Sequence, residues 1–151
     1  MRSGLTTGSL DVAGMLCAVA APDCGATAVF VGTVRNHHEG REVVAIDYSA
    51  YEAMAAKTLE QIGAALAAAA PGLRVLLQHR LGRLAVGEAS IVIVAASPRR
   101  DAALTAIRTA LERVKAEVPI WKREIYADGG ERWREEEALA PPASAPGDGA
   151  R

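Results

Sequence analysis

Residues 90–126 read SIVIVAASPRRDAALTAIRTALERVKAEVPIWKREIY, and the change of period along them decides the fold class. Residues 90–96 (SIVIVAA) form an unbroken apolar, β-branched run of strand length, which predicts a central strand. From 100 to 117 the spacing becomes helical. Leu104, Ile107, Leu111, Val114 and Val118 recur three or four residues apart, and Pro119 ends the run. Residues 120–126 return to strand chemistry. The unit is strand, helix, strand, with a basic corner at each end of the helix.

The same reading extends upstream. Residues 27–34 (TAVFVGTV) and 43–51 predict two strands, the second with Val44, Ile46 and Tyr48 alternating to one face. Between them, 35–41 (RNHHEGR) reads as a mobile loop. Residues 52–70 predict a helix carried by Ala55, Leu59, Ile62 and Leu66 and ended by Pro71-Gly72, followed by a strand at 75–81 and a turn over 82–88. A short helix over 11–20, capped by Ser9, precedes all of these, and residues 1–9 are expected to be loose. Asp128-Gly129-Gly130 is a turn before Trp133. The strands are grouped rather than strictly alternating with helices, which predicts an α+β fold with antiparallel pairing. One domain over 1–134 is expected, followed by a tail over 135–151 whose Ala/Pro/Gly-rich end (ALAPPASAPGDGAR, 138–151) buries too little apolar surface to order itself.

Composition removes several classes of function. In 151 residues the formal net charge is −1, so no global field draws the chain to nucleic acid or a membrane surface. Any anion site must be a local cluster. Cys17 and Cys24 fit no zinc pattern and read as reduced thiols, and His37, His38 and His79 add no ligand set, so no metal is expected. The first residues lack the apolar block of a signal peptide, and the alanine run at 64–70 is too short to span a bilayer, which predicts a cytoplasmic protein. No Gly-rich phosphate loop, nucleophilic serine elbow or paired carboxylates stand at a defensible spacing.

Basic residues remain, at three element ends. Arg35 closes the first strand. Arg99-Arg100 lie in the SPRRD turn, where Ser97 or Asp101 could cap the helix and its free N–H groups favour an anion; the alternative is an ordinary solvated turn. Lys115 and Lys122-Arg123 bracket the VPIW corner. Lys115 follows Leu111 by four residues, beside the apolar stripe, where lost hydration would suit a nucleophile, base or close-range charge. The plainer alternative is a last-turn lysine welcomed by the helix dipole. Lys122 is equally readable as the solvent-side member of an alternating strand. His79-Arg80 reads as a hydrogen-bonded pair at the core edge. Taken singly, these residues define no more than a basic pocket for an anionic small molecule.

Their order resembles one family, the large catalytic subunits of molybdopterin synthase. The resemblance covers about residues 25–133. It rests on GATAVFVGTVRNHHEG (25–40), YSAYEAMA (48–55), HRLGRLAVGE (79–88), SPRRDA (97–102), VKAEVPIWKRE (114–124) and GGERW (129–133). The PIWKRE block, with Lys115 seven residues before its own Lys122, is the most specific element. The resemblance implies a fold of the α/β-hammerhead kind, with antiparallel sheets, two main helices and a short N-terminal one. It implies a homodimer with a small ubiquitin-like sulfur-carrier subunit at each end, a heterotetramer in all. The carrier threads a C-terminal Gly-Gly thiocarboxylate into the large subunit, and two sulfurs pass to cyclic pyranopterin monophosphate to make molybdopterin. This is a sulfurtransferase reaction of molybdenum cofactor biosynthesis, and no cofactor of its own is implied.

By the same resemblance Lys115 and Lys122 are the catalytic lysines. Thr33, Val34, Arg35, Arg99, Arg100, Arg123 and Glu124 match substrate-binding positions. Two positions depart from the family pattern. Arg99 stands where a histidine is usual, which removes proton transfer there and keeps phosphate binding, because arginine stays charged. Ser49 stands where a glutamate is usual. Two other readings fit the same strand–helix order: a ferredoxin-like module that binds an anionic metabolite without catalysis, and a carrier-binding homologue that has lost turnover.

Overall fold

The strand that anchors the molecule is the one with no polar face. In the computed structural model, which describes residues 1–134, β7 (Ala89–Ser97) has Val92 through Ala96 at 0% exposure. Such a run is stable only when both of its faces are covered. One face, carrying Ile93 and Ala95, lies under α2 (Glu52–Ala68) and α3 (Arg100–Glu117), which bring Leu59, Ile62, Ala106, Ala110 and Val114. The other face, carrying Val92, Val94 and Ala96, is covered by Met15 and Val19 of α1 (Val12–Val19). The predicted central strand is interior, flanked by β5 (Arg74–Arg80) and β2 (Ala26–Thr33).

This first sheet has the order β1-β5-β7-β2, where β1 is Gly4–Thr6. All its pairings are antiparallel except β1 with β5. The second sheet joins β3 (His37–His38), β4 (Arg41–Ala50), β8 (Ile120–Tyr126) and β9 (Glu131–Arg134), with β6 (Gly82–Ala85) also paired to β4. The architecture is α+β of the α/β-hammerhead kind, with two main helices and one short helix among the described residues. The tail expected over 135–151 lies outside the described residues.

Several local expectations are corrected. Residues 1–9 are not all loose: β1 pairs with β5, and Ser3, 7% exposed, accepts a hydrogen bond from the Leu77 backbone N–H at 3.1 Å. The cap of α1 is Asp11 rather than Ser9, its carboxylate accepting from the Gly14 N–H at 2.9 Å. The loop over 35–41 holds the short hairpin strand β3, turned by Glu39 and Gly40, both at positive φ. The predicted turn over 82–88 begins as β6, paired to β4.

Two corrections concern which face a residue shows. A bulge between Val43 and Ala45 puts Val43, not Val44, in the cluster with Ile46 and Tyr48, and Val44 is 44% exposed. On α3, Leu104 is 60% exposed while Ala103, Ala106 and Ala110 are buried. The buried face of that helix is the alanine face, since small side chains allow a helix to lie close to the sheet.

Candidate active site

Strand pairing brings the chemistry together where α3 runs out and the second sheet begins. Across the first sheet Gly32, Ile91 and His79 stand in one rung, because Gly32 pairs with Ile91 and Ile91 with His79. Across the second sheet Tyr48 pairs with Lys122. The last turns of α3 supply Leu111, Val114 and Lys115. These three groups, with Phe30, Thr33 and Ser90, line one cleft of about 200 Å³.

A smaller hollow of about 80 Å³ adjoins it, sharing Thr33, Tyr48 and Lys122 and adding Arg35, His37, His38, Val43, Ile46 and Glu124. Lys122 therefore stands between a lysine-bearing cleft and an arginine-bearing one. The convergence joins Lys115 of α3 and Lys122 of β8, which flank one corner of the chain, with Arg35 from the connection after β2, some eighty residues upstream.

The floor of the cleft is tight. A Cβ on Gly32 would lie 2.7 Å from Ile91 Cγ2 and 3.3 Å from Phe30 Cε1. Only glycine lets β2 approach that rung without displacing a neighbour. The Ser90 hydroxyl closes the rung by donating to the Gly32 carbonyl at 3.2 Å.

Glu124 is 2% exposed and held from several sides. It accepts from the Tyr126 hydroxyl at 2.6 Å and from Arg134 Nε at 3.1 Å, with His38 Nδ1 at 3.4 Å from its other oxygen. Burial alone would raise its carboxyl; the Tyr126 hydrogen bond, the His38 charge and the Arg134 guanidinium outweigh burial and hold it below the usual range. Arg134 reaches on to Glu39, whose carboxyl its hydrogen bonds lower to about 2. A fixed anion thus backs the hollow that contains Arg35 and Lys122.

Not every expected residue is in this cleft. Val34 is 3% exposed in the core beside Leu84 and Tyr126; its backbone bonds to Gly87 and Glu88, and its side chain lines neither cavity. Arg123 alternates to the opposite face of β8 from Lys122 and Glu124. There it donates to Asp47 at 2.7 Å and lies over the Trp133 ring at 5.4 Å. Asp47 also takes a two-point contact from Arg83 at 2.8 and 2.9 Å. The Arg83 hydrogen bond is the main cause lowering the Asp47 carboxyl to about 2, working with Arg123 against burial. Arg123 is a clamp on the back of the sheet.

Arg99 and Arg100 are also apart. They line a separate, open hollow with Gly25, Pro98 and Asp101 at the start of α3. From Arg100 to Lys115 the helix advances about 22 Å. Neither Ser97 nor Asp101 caps it: Arg99 occupies the cap position without a side-chain cap, and the Ser97 hydroxyl accepts from the Arg99 N–H at 3.4 Å. Lys115 itself is exposed at the cleft rim, so the expected loss of hydration does not hold within one chain.

Sequence reasoning passed over Tyr48 and His79 as site residues. His79, 6% exposed, bonds through Nδ1 to the Arg80 carbonyl at 2.9 Å, as a core-edge histidine should. Yet it also lines the cleft, edge-on to Tyr48 with ring centroids 5.0 Å apart. The signal available was the strand alternation that puts His79 on the face of Val75 and Leu77, the face that α2 and α3 cover.

Comparisons with known proteins bear on the family and the fold. Residues 5–117 match the family model described as "MoaE protein". The molybdopterin synthase catalytic subunit of Culex quinquefasciatus is 46% identical over 134 residues, 87% of this chain and 85% of that protein. The protein of the same name from Drosophila willistoni is 41% identical over 140 residues, covering 91% of this chain and 38% of that longer protein. Among solved structures, the molybdopterin synthase of Staphylococcus aureus superimposes with a TM-score of 0.84 at 33% identity, covering 89% of this chain and 97% of the other. A complex of subunits 1 and 2 of the molybdopterin-converting factor from Helicobacter pylori gives 0.73 at 25% identity, covering 94% and 96%. With the family model matching most of the chain and its cleft built on the segments that carry the resemblance, this chain belongs to the MoaE protein family.

Proposed function

We propose that this chain is the catalytic subunit of a molybdopterin synthase and works as a sulfurtransferase in molybdenum cofactor biosynthesis. It takes two sulfurs, one from the C-terminal thiocarboxylate of each of two small ubiquitin-like carriers, and adds them to cyclic pyranopterin monophosphate. The observation that carries this reading is the meeting of Lys115, Lys122 and Arg35 around Thr33 and Tyr48. The substrate is a cyclic phosphate and the sulfur donor is an anion, so the reaction must hold two negative groups together. Fixed cations in a partly enclosed cleft lower that barrier without reorganising at the moment of reaction.

The roles follow from position. Arg35, in the smaller hollow with Thr33 at its boundary, holds phosphate by paired N–H donors. Lys122, between the hollows, and Lys115, at the rim, stabilise the negative oxygen of the acyl-linked intermediates. Glu124, ionised and buried beneath them, keeps the basic hollow from repelling itself open. The Helicobacter complex pairs the two subunits of its factor. The same partnership is proposed here, with two copies of this chain and a carrier at each end.

The test is direct. The purified chain, given thiocarboxylated carrier and cyclic pyranopterin monophosphate, is expected to yield the dithiolene product, and Lys115→Ala to lose nearly all of it. Near-full conversion by Lys115→Ala would remove the assignment. Carrier capture without conversion by the unaltered chain would leave only a binding module.

A further inference from the structure

One imidazole lines the cleft among the described residues, and the roles above leave it unused. His79 lies in the rung with Ile91 and Gly32, 6% exposed, and lines the same cleft as Lys115 and Lys122. Its Nδ1 is 2.9 Å from the Arg80 carbonyl. A carbonyl only accepts, so Nδ1 carries the hydrogen and Nε2 is the nitrogen through which the ring can exchange a proton. Among the described residues, Tyr48 from β4, Lys122 from β8, Lys115 from α3 and Ser90 from β7 line the cleft with it, and Arg80 is its chain neighbour. The Tyr48 ring edge and the Arg80 carbonyl fix its orientation.

We infer that His79 is the general base for the water that releases the carrier from the sulfur-linked intermediate; this rests on the sulfurtransferase reading above. In that step the water oxygen bonds to the carrier's acyl carbon. The carbon–sulfur bond breaks, and its electron pair stays on sulfur as the pterin thiolate. One water proton passes to His79 Nε2, and the other remains on the carrier's C-terminal carboxyl group until that ionises. No oxidant, reductant or metal enters the balance.

His79→Asn tests this, because an asparagine amide can still donate to the Arg80 carbonyl while offering no base. Single-turnover reactions of the assembled synthase would be followed by mass spectrometry of the carrier, across pH 5.5–8.5. The expected result is a fall of about 100-fold in carrier release, with the carrier–pterin adduct accumulating. The rise in rate with pH expected of the unaltered chain should flatten. Retention of rate within about threefold, with the same pH rise, would overturn the inference. So would a slowed reaction without adduct, since that is the mark of a structural role. If His79→Asn melts early, His79→Gln carries the same readouts. If the unaltered chain makes no product at all, the sulfurtransferase reading fails, a different result from either His79 outcome.

Discussion

Arg99 and Arg100 stand at the start of α3 and Lys115 near its end, about 22 Å apart along one axis. Both ends are basic. At the start, the exposed arginines line an open hollow with Gly25, Pro98 and Asp101. At the end, the first sheet and α3 meet the edge formed by Tyr48 and Lys122, and the same kind of charge borders a walled cleft. The difference teaches that positive charge alone does not make a reaction site. The walls matter for Lys122, half-buried between the two hollows, because excluding water multiplies what a charge is worth; Lys115, exposed at the rim, gains less.

The largest expected effect breaks this comparison most cleanly. Lys115→Ala should lower kcat by about 10²–10³-fold with little change in KM, as for the loss of one group that acts in the transition state. The double change Arg99→Ala with Arg100→Ala should act mainly on KM and cost less than about tenfold in kcat/KM. Steady-state kinetics on both variants decides. If the arginine pair collapses kcat as Lys115→Ala does, the turn reaches a cleft, and across 22 Å that cleft can only be another copy's.

Stability measurements sharpen the same contrast. Gly32→Val, which puts a side chain 2.7 Å from Ile91 Cγ2, should cost about 1–3 kcal/mol by denaturant unfolding and also reduce turnover by lifting the cleft floor. Asp47→Asn, behind Lys122, should cost about 1 kcal/mol at pH 7 by loosening Arg83 and Arg123. Its sign follows from the lowered carboxyl: the stabilisation is complete above about pH 4 and is lost as pH falls towards 2, so the gap between the two proteins should close in that window. Leu104→Ser, near the arginine end of α3 and 60% exposed, should change stability by less than about 0.5 kcal/mol. A larger loss would mean that this face is covered in the working assembly.

Where the sequence could be read and where it could not follows a physical line. Strands and helices of strong period were legible: β7, α3 and β8 fall almost where the spacing puts them. β1, β3, β6 and β9 were not, because two- to four-residue strands have no period of their own and exist only through the partner they pair with. The face of β4 was misread at one residue because a bulge is a property of the ladder, absent from the strand's own alternation. The alanine face of α3 was misread because hydrophobicity favours Leu104, whereas close packing against a sheet favours the smaller side chain.

The site divides in the same way. Residue types and order, above all the VPIWKRE corner with Lys115 before it, were enough to mark the family and to single out Lys115 and Lys122 as candidates. Local sequence determines which side chains exist and which element ends they occupy, since those depend on neighbours within a few residues. Only tertiary structure could bring Lys115, Lys122 and Arg35 around Thr33, turn Arg123 to the back of the sheet, bury Val34 and leave Arg99-Arg100 at the far end of a helix. Those outcomes depend on strand register, where one residue's shift exchanges the two faces, and register is set by partners far away in the chain.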